Sequence, residues 1–353
     1  MSVLVQLWQS SPWVQSVKRV ILVFALFCGA SLLFFALNGR DPWPLFYQML
    51  MGAFGDGYSI SETLVQAPPI MLTAMAVALP ARLGLISVGG EGQMYFGAIV
   101  GTGMVLLGFN GAMWWLLPAM ILGGMLGGAI WGMIPALMKT RLGVNETIST
   151  LLLNYVALLL VSYLVHGPWR NPASLGWPST VSFPSAATLP TFFDTRVHLG
   201  LVIAIVGALL LHWLVTRSRW GLELQVLRSN PRVGATAGLR LHRHVLWVMA
   251  LGGLFAGIAG VAEVSVIQGR LQSGIAGTFG LTGFLVAWLA GQNFLRIIPV
   301  SILMGGLLAS ADTLQLFAQM PSASAIILQS VLFIFVLAIA ARDAQQRQKQ
   351  EVR

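Results

Sequence analysis

Long stretches without a charged residue recur along the whole chain, and they limit its possible folds more than any other feature. Several of them hold about 18 or more residues, enough for a helix to cross the roughly 30 Å hydrocarbon core of a bilayer. Only 9% of the residues are charged, whereas soluble domains carry about 25%. The sequence therefore predicts an all-α integral membrane protein built as a polytopic helix bundle.

We expect about ten transmembrane helices, of which the eighth and the ninth are short. Their predicted ranges are 20–37, 64–80, 93–109, 113–138, 147–165, 199–215, 245–262, 280–290, 297–310 and 323–341. A short cytoplasmic segment, 1–19, precedes this transmembrane domain of residues 20–341, and a basic cytoplasmic tail, 342–353, follows it.

The basic residues indicate which loops face the cytoplasm. With the N-terminus placed inside, all Lys and Arg residues fall in inner loops or tails except four: Arg40, Arg170, Arg196 and Arg270. Cytoplasmic loops of membrane proteins are rich in Lys and Arg, so the net charge of +9 reports topology and does not indicate a nucleic-acid partner. An even number of spans returns the C-terminus to the cytoplasm.

Glycines recur at helical spacing inside the predicted spans. The sets are Gly97/Gly101, Gly123/Gly127, Gly124/Gly128/Gly132 and Gly253/Gly257. Lipid gives helices no hydrophobic reason to associate, so small residues that allow close backbone approach hold membrane bundles together. We expect these glycines to pack helices within the chain, with a subunit interface as the alternative.

The longest outer loop, 166–198, contains five prolines, which keep it extended or turned rather than helical. Loops of this length are often functional. Three roles remain open for it: receiving a soluble partner, lying over the external mouth of a pathway, or serving as a solvated connector.

The sequence lacks the motifs of common enzyme and nucleotide sites. No Gly-x-x-x-x-Gly-Lys-Ser/Thr run is present, so the chain is not expected to hold ATP in a P-loop. His-Glu-x-x-His and Gly-x-Ser-x-Gly are absent, the histidines show no metal-ligand spacing, and Cys28 is the single cysteine. We expect no catalytic residue, no metal site and no cofactor bound by this chain.

A glycine-dense break between the second and third spans contains Glu91 and Gln93 within Ser87-Val88-Gly89-Gly90-Glu91-Gly92-Gln93-Met94. Non-helical backbone at membrane depth is tolerated where protein or a water-filled cavity satisfies it. The break is therefore either a re-entrant element beside a pathway or a plain cytoplasmic turn.

A polar stripe follows residues 143–150. Glu146, Thr150 and Asn154 recur at i, i+4 and i+8, which places them along one helix face. Asn145 is a good N-cap for that helix, and Glu146 is a good first-turn anion. The stripe is expected to border a translocation path, with Asn154 deepest; hydrogen bonding between helices alone is the alternative.

The largest inner loop, 216–244, carries six Arg residues. Within it, Pro231 follows Ser229-Asn230, and Gly238 follows the segment 231–237. Proline at the first helical position after a cap, with glycine just past the end, is typical of a short helix. We expect this helix on the cytoplasmic face; a solvated, lipid-facing basic loop is the alternative.

Three runs together carry a family resemblance: 89–94, 143–150 with 153–155, and 230–238. In this order and spacing they resemble the permeases of the branched-chain amino acid/simple-sugar type of bacterial ABC importer. Within that type they look most like the nucleoside subgroup, which works with basic-membrane-protein lipoproteins. The resemblance covers residues from about 64 to 340.

The resemblance implies a multi-pass permease subunit in the bacterial inner membrane that lines the path of a nucleoside or a simple sugar. It implies three partners besides membrane lipid: a cytoplasmic ABC ATPase that uses ATP, a second permease that is a paralogue, and a periplasmic or lipid-anchored binding protein. By the same resemblance, the ATPase contacts a coupling helix made of Asn230, Pro231, Arg232, Val233, Gly234, Ala235, Thr236 and Ala237.

A stand-alone secondary carrier or channel for a small polar solute is the alternative function. A proton-coupled carrier is expected to keep a carboxylate well inside a span. The four acidic residues near spans, Glu91, Glu146, Glu263 and Asp312, lie near predicted span ends. The sequence therefore favours the ATP-driven permease.

Overall fold

The computed structural model describes residues 12–107, 113–174, 176–192, 195–321 and 323–351, and this part of the chain is helical between its connecting loops. Its helices are α1 Pro12–Leu37, α2 Pro42–Phe54, α3 Gly57–Ala81, α4 Gly90–Leu106, α5 Met113–Leu142, α6 Glu146–His166, α7 Leu199–Arg217, α8 Arg219–Ser229, α9 Pro231–Thr236, α10 Leu241–Ala262, α11 Phe279–Leu289, α12 Phe294–Ala318 and α13 Ala323–Glu351. A 3₁₀ turn, Ser185–Ala187, lies in the long outer loop, and a π-helical turn, Glu263–Ile267, extends α10.

Among the described residues, six helices are long and apolar enough to cross a membrane. They lie in α3, α5, α6, α7, α10 with its π-helical turn, and α12. Apolar segments of α1, α11 and α13 are shorter, between 10 and 17 residues. Each of the ten predicted spans coincides with a helix, except that residues 108 and 109 lie outside the described part. The count of ten spans and the side of each terminus stay predictions.

The ninth predicted span is not short, which corrects the sequence interpretation. Helix α12 has 25 residues, whereas the eighth span, α11, has 11. The Asn293 side chain accepts a hydrogen bond from the Leu295 N–H at 3.0 Å and so caps the first turn of α12. At the other end the helix continues past Asp312, because a single carboxylate does not stop a helix.

Two helices outside the predicted spans were missed, α2 and α8. Asp41 caps α2 by accepting from the Trp43 N–H at 3.3 Å, and Pro42 occupies its first position. Ser218 caps α8 by accepting from the Gly221 N–H at 3.2 Å. Both starts follow ordinary capping rules, so the signals were present in the sequence.

The chain divides into two compact units. The first unit contains residues 1–59 and 307–353, and in its described part α1 packs against both α2 and α13. A Cβ at Gly52 of α2 would lie 2.3 Å from the Thr313 Oγ1 of α12, so this position requires glycine.

The second unit, residues 60–306, is built around helices α3 and α10. The most apolar windows of these two helices are 83% and 72% buried, whereas those of α6 and α7 are 33% and 28% buried. Helices α3 and α10 therefore form the centre of the unit, and α6 and α7 lie at its periphery.

Glycines hold α4, α5 and α10 together, which confirms the expected packing within the chain. A Cβ at Gly97 of α4 would lie 2.4 Å from the Gly257 Cα of α10. A Cβ at Gly128 of α5 would lie 2.1 Å from the Gly253 carbonyl oxygen of α10. At these distances even alanine collides with backbone, so the three helices approach as closely as glycine permits.

The long outer loop is bound to the segment that follows α10. The Thr180 N–H donates to the Leu271 carbonyl at 3.0 Å, and the Phe183 N–H donates to the Gly269 carbonyl at 2.8 Å. Further along, the Leu189 N–H donates to the Ser265 hydroxyl at 2.9 Å. These bonds hold the loop against the end of α10, so it is more than a freely solvated connector.

Candidate functional site

Residues 86–92, here called the α4 entry segment, lead into helix α4 along the polar stripe of helix α6. The Val88 N–H donates to the Thr150 hydroxyl at 3.2 Å, and the Asn154 amide donates to the Val88 carbonyl at 2.9 Å. The Asn154 Oδ1 in turn accepts from the Gly92 N–H at 2.9 Å. Side chains of α6 thus satisfy backbone groups that a helix or strand would otherwise pair.

Glu146, the first residue of the polar stripe, forms an ion pair. The Glu146 carboxylate lies 2.5 Å from the Lys139 ammonium of α5 and accepts from the Ile86 N–H at 3.4 Å. The Thr147 hydroxyl donates to the Ile86 carbonyl at 3.0 Å. Glu146 therefore joins α5, α6 and the start of the α4 entry segment.

The α4 entry segment reaches well inside the helix bundle. Asn154 lies eight residues after the start of α6, or about 12 Å along the helix at 1.5 Å per residue. A Cβ at Gly90 would lie 3.7 Å from the side chain of Thr73, which is eight residues before the end of α3. This geometry favours the re-entrant element over the plain cytoplasmic turn.

Glu91 and Gln93 occupy opposite sides of the first turn of α4. A Cβ at Gly280, in the first turn of α11, would lie 2.4 Å from the Glu91 Cβ. The N-terminal ends of α4 and α11 therefore meet beside Thr73, whose hydroxyl lies 3.0 Å from the Phe279 carbonyl and can donate to it. Gln93 instead faces α5 and α6, so the two residues do not line one common surface.

Gln93 lies in a narrow cleft between α4, α5 and α6. Thr150 also lines this cleft, and Trp131 of α5 forms its far wall. Trp131 stacks on Phe96 with ring centroids 4.5 Å apart and an interplanar angle of 22°. Sequence reasoning missed Trp131 because a tryptophan in an apolar span is typical of core packing and gives no separate signal.

The predicted short cytoplasmic helix is present as α9. The Asn230 side chain accepts from the Arg232 N–H at 3.0 Å and from the Val233 N–H at 3.3 Å. The helix ends one residue earlier than predicted, at Thr236, with Ala237 as its C-cap. The cap and start signals therefore predicted the element correctly to within one residue.

Most of α9 is exposed. Val233 is 54% exposed and Ala235 is also exposed, whereas Gly234 is buried against Leu227 of α8. Helix α8 is joined to α10 by the Glu223 carboxylate and the His244 Nε2, which lie 2.8 Å apart. The surface of α9 is thus available to a partner while its base is anchored.

His198, which precedes α7, is 1% exposed. Its Nδ1 accepts a hydrogen bond from the Gly200 N–H at 3.1 Å and so caps the helix. Burial, together with the nearby Arg196 guanidinium, lowers the pKa of His198 to about 4. The imidazole is therefore neutral at pH 7 and acts as a structural cap.

Within the described part of the chain, no group of three or more His, Cys, Asp or Glu side chains comes together in a metal-binding arrangement. The polar groups that do converge are neutral or singly charged hydrogen-bonding groups.

This chain is similar in sequence to known proteins. Residues 59–337 match the family described as branched-chain amino acid transport system / permease component. The glucose ABC transporter permease protein TsgB13 of Haloferax volcanii is 31% identical over 92% of this chain and 88% of its own length. The guanosine ABC transporter permease protein NupP of Bacillus subtilis is 28% identical over 91% of this chain and 92% of its own length. The nucleoside ABC transporter permease protein NupB of Lactococcus lactis is 26% identical over 83% of this chain and 81% of its own length.

A solved structure also matches, an inward-facing ABC transporter of the metal-chelate type. It is 14% identical, covers 93% of this chain and 99% of its own chain, and gives a TM-score of 0.45.

The family match spans more than three quarters of the sequence. The chain is therefore a multi-pass membrane permease, and it belongs to the branched-chain amino acid transport system permease family. It is the permease subunit of an ABC transporter, a component distinct from the ATPase. Membership implies that an ATPase and a substrate-binding protein work with it.

Proposed function

We propose that this chain forms the translocation path of a bacterial inner-membrane importer for nucleosides or a related simple sugar. The similarity to guanosine, nucleoside and glucose permeases supports this class of solute. The observation that carries the proposal is the first part of the α4 entry segment, residues 87–89, which is non-helical and largely buried. Non-helical backbone inside a membrane bundle is typical of a transport path.

The path borders Glu91, Gln93, Glu146, Thr150 and Asn154. Within this set, Glu146, Thr150 and Asn154 support the α4 entry segment through the hydrogen bonds described above. The oxygen and the nitrogen of the Asn154 side-chain amide both bond to backbone groups. This arrangement is what the alternative role, hydrogen bonding within the helix bundle, requires. For Asn154 to contact the solute directly, one of these two hydrogen bonds must break and be replaced by a hydrogen bond to the solute.

Energy reaches the path through α9. The coupling residues are those named above, Asn230 to Ala237, and their exposed surface fits a groove on a cytoplasmic ABC ATPase that supplies ATP. A paralogous second permease completes the path, membrane lipid surrounds it, and a periplasmic or lipid-anchored binding protein delivers the solute. This chain itself holds no cofactor.

Uptake measurements test the proposal. Cells lacking their own nucleoside and sugar uptake are given this permease with an ATPase, a second permease and a binding protein from the same organism. We expect vanadate-sensitive accumulation of a labelled nucleoside or sugar that is lost when the ATPase is omitted. Accumulation by this chain alone that collapses with a protonophore would instead establish the stand-alone carrier.

A further inference from the structure

The cleft between α4, α5 and α6 contains two buried polar atoms that have no hydrogen-bond partner in the described part of the chain. They are the Gln93 Oε1 and the Trp131 Nε1. The two residues are 2% and 6% exposed. The remaining lining residues are Gly89, Pro135, Thr150 and Leu153. An unpaired polar group in such a position is costly, so a functional explanation is required.

The two atoms form a complementary pair. The amide oxygen of Gln93 only accepts a hydrogen bond, and the indole N–H of Trp131 only donates one. A hydroxyl group satisfies both, since it donates through its hydrogen and accepts through a lone pair. A carboxylate cannot donate to Gln93, and an ammonium group cannot accept from Trp131.

Neighbouring residues fix the orientation of the Trp131 indole N–H, which is the hydrogen-bond donor of the pair. The stack on Phe96 fixes the plane of the Trp131 ring. A Cβ at Gly92 would lie 2.9 Å from the Trp131 Nε1, so glycine at this position keeps a side chain away from the indole N–H. The N–H therefore has a fixed direction, and it is buried in this conformation.

The cleft is too narrow for a water molecule in this conformation. About 140 Å³ of space, open solvent included, lies between its atoms. Pairing of the two groups requires α4, α5 and α6 to move apart slightly. A permease must rearrange to pass its solute, and the inferred subsite would form when these three helices separate.

We infer that Gln93 and Trp131 form a subsite for a sugar hydroxyl of the transported solute. The inference rests on the proposed function, because nucleosides and simple sugars both carry such hydroxyls. Trp131 is a specificity-determining residue that the sequence did not single out.

Competition uptake with deoxy analogues tests the subsite in the complete transporter. The labelled solute is guanosine or glucose, whichever the wild type accumulates, and the competitors lack one hydroxyl at a time. We expect the wild type to prefer the parent over one analogue by about tenfold, equivalent to about 1.4 kcal/mol. Trp131→Phe keeps an aromatic ring, although a smaller one, and removes the donor, so it should bring this ratio close to one by weakening recognition of the parent alone. Gln93→Leu should do the same.

Trp213→Phe, at an exposed position of α7, is the matched control and should keep the wild-type ratio. Trp131→Phe also removes buried ring volume, so thermal unfolding should show a loss of stability from the cavity, and this loss acts equally on parent and analogue. An unchanged ratio in both variants, or an equal loss for parent and analogue, overturns the subsite while leaving the proposed function intact. A wild-type transporter that imports neither nucleosides nor sugars overturns both.

Discussion

Two polar segments of this permease lie in opposite environments. The α4 entry segment is largely buried beyond Ile86, and side chains of α6 bind its backbone. Helix α9 is exposed, and its cap comes from Asn230 immediately before it. The α4 entry segment thus depends on side chains of another helix for its hydrogen bonds, whereas α9 is capped by the residue that precedes it.

This difference separates two roles. A buried segment with externally supplied hydrogen bonds is fixed in position, as the wall of a selective path requires. A self-capped exposed helix keeps its shape while its surface remains free for a partner. Substitutions should therefore destabilise the protein in the first region and uncouple it from a partner in the second.

The largest loss of stability is expected at the glycine contacts that hold α5 against α10. A Cβ at Gly257 would lie 2.1 Å from the Gly124 carbonyl oxygen, and two helix backbones cannot easily yield. Gly257→Ala should cost at least the roughly 3 kcal/mol at the upper end of overpacking effects, measured as lost membrane abundance and a lower Tm. Gly29→Ala is the control: no atom lies within 4 Å of the new Cβ, so membrane abundance and Tm should not change. Equal abundance of the two variants would contradict the packing described.

Burial also predicts a pH effect at His198. Its pKa is lowered to about 4 in the fold and is about 6.5 in an unfolded chain. The unfolded state therefore binds more protons between these values, and stability should fall as the pH drops from 6.5 towards 4, by at most about 3 kcal/mol. His198→Asn keeps a capping side chain and removes the titration. We expect a flatter dependence of Tm on pH in this variant, and parallel curves would refute the prediction.

A moderate effect is expected from Asn154→Leu, which leaves the Val88 carbonyl and the Gly92 N–H unpaired. The cost should be about 1–3 kcal/mol, above the average of about 0.6 kcal/mol for side-chain bonds in membranes, because two bonds are lost. Tyr155→Leu, on the exposed side of the same helix, is the control and should change Tm little. A normal Tm together with a shifted substrate preference would show that Asn154 contacts the solute and does not support the segment.

The sequence predicted features that depend on local signals. Apolar length located the helices, glycine spacing identified the close contacts, and the Asn230–Pro231 pair gave the start of α9. The stripe of Glu146, Thr150 and Asn154 was placed correctly on one face of α6, because helical periodicity is a property of a few turns.

Features that depend on distant parts of the chain could not be predicted. Nothing near Asn154 in the sequence indicates that its partners are Val88 and Gly92, more than 60 residues earlier. Trp131 and Gln93 share a cleft only because α4 and α5 pack side by side. Helical periodicity separates Glu91 from Gln93, but it does not show that α11 packs beside Glu91.

The smallest effect on stability is expected on α9. Ala235 is exposed, so Ala235→Glu should change Tm little, since surface substitutions usually cost within about 0.5 kcal/mol. Gly234 is a poorer choice for this test, because a side chain there would strike Leu227. Ala235→Ser is the matched control, since it adds a small uncharged group at the same position.

The most direct test of the contrast between the two segments measures uptake and ATP hydrolysis together in proteoliposomes that contain the complete transporter with Ala235→Glu. We expect normal assembly of the membrane subunits, loss of solute uptake, and loss of the link between solute and ATP hydrolysis, with Ala235→Ser behaving as wild type. Normal uptake with normal solute-stimulated hydrolysis in Ala235→Glu would contradict the assignment of α9 as the coupling surface.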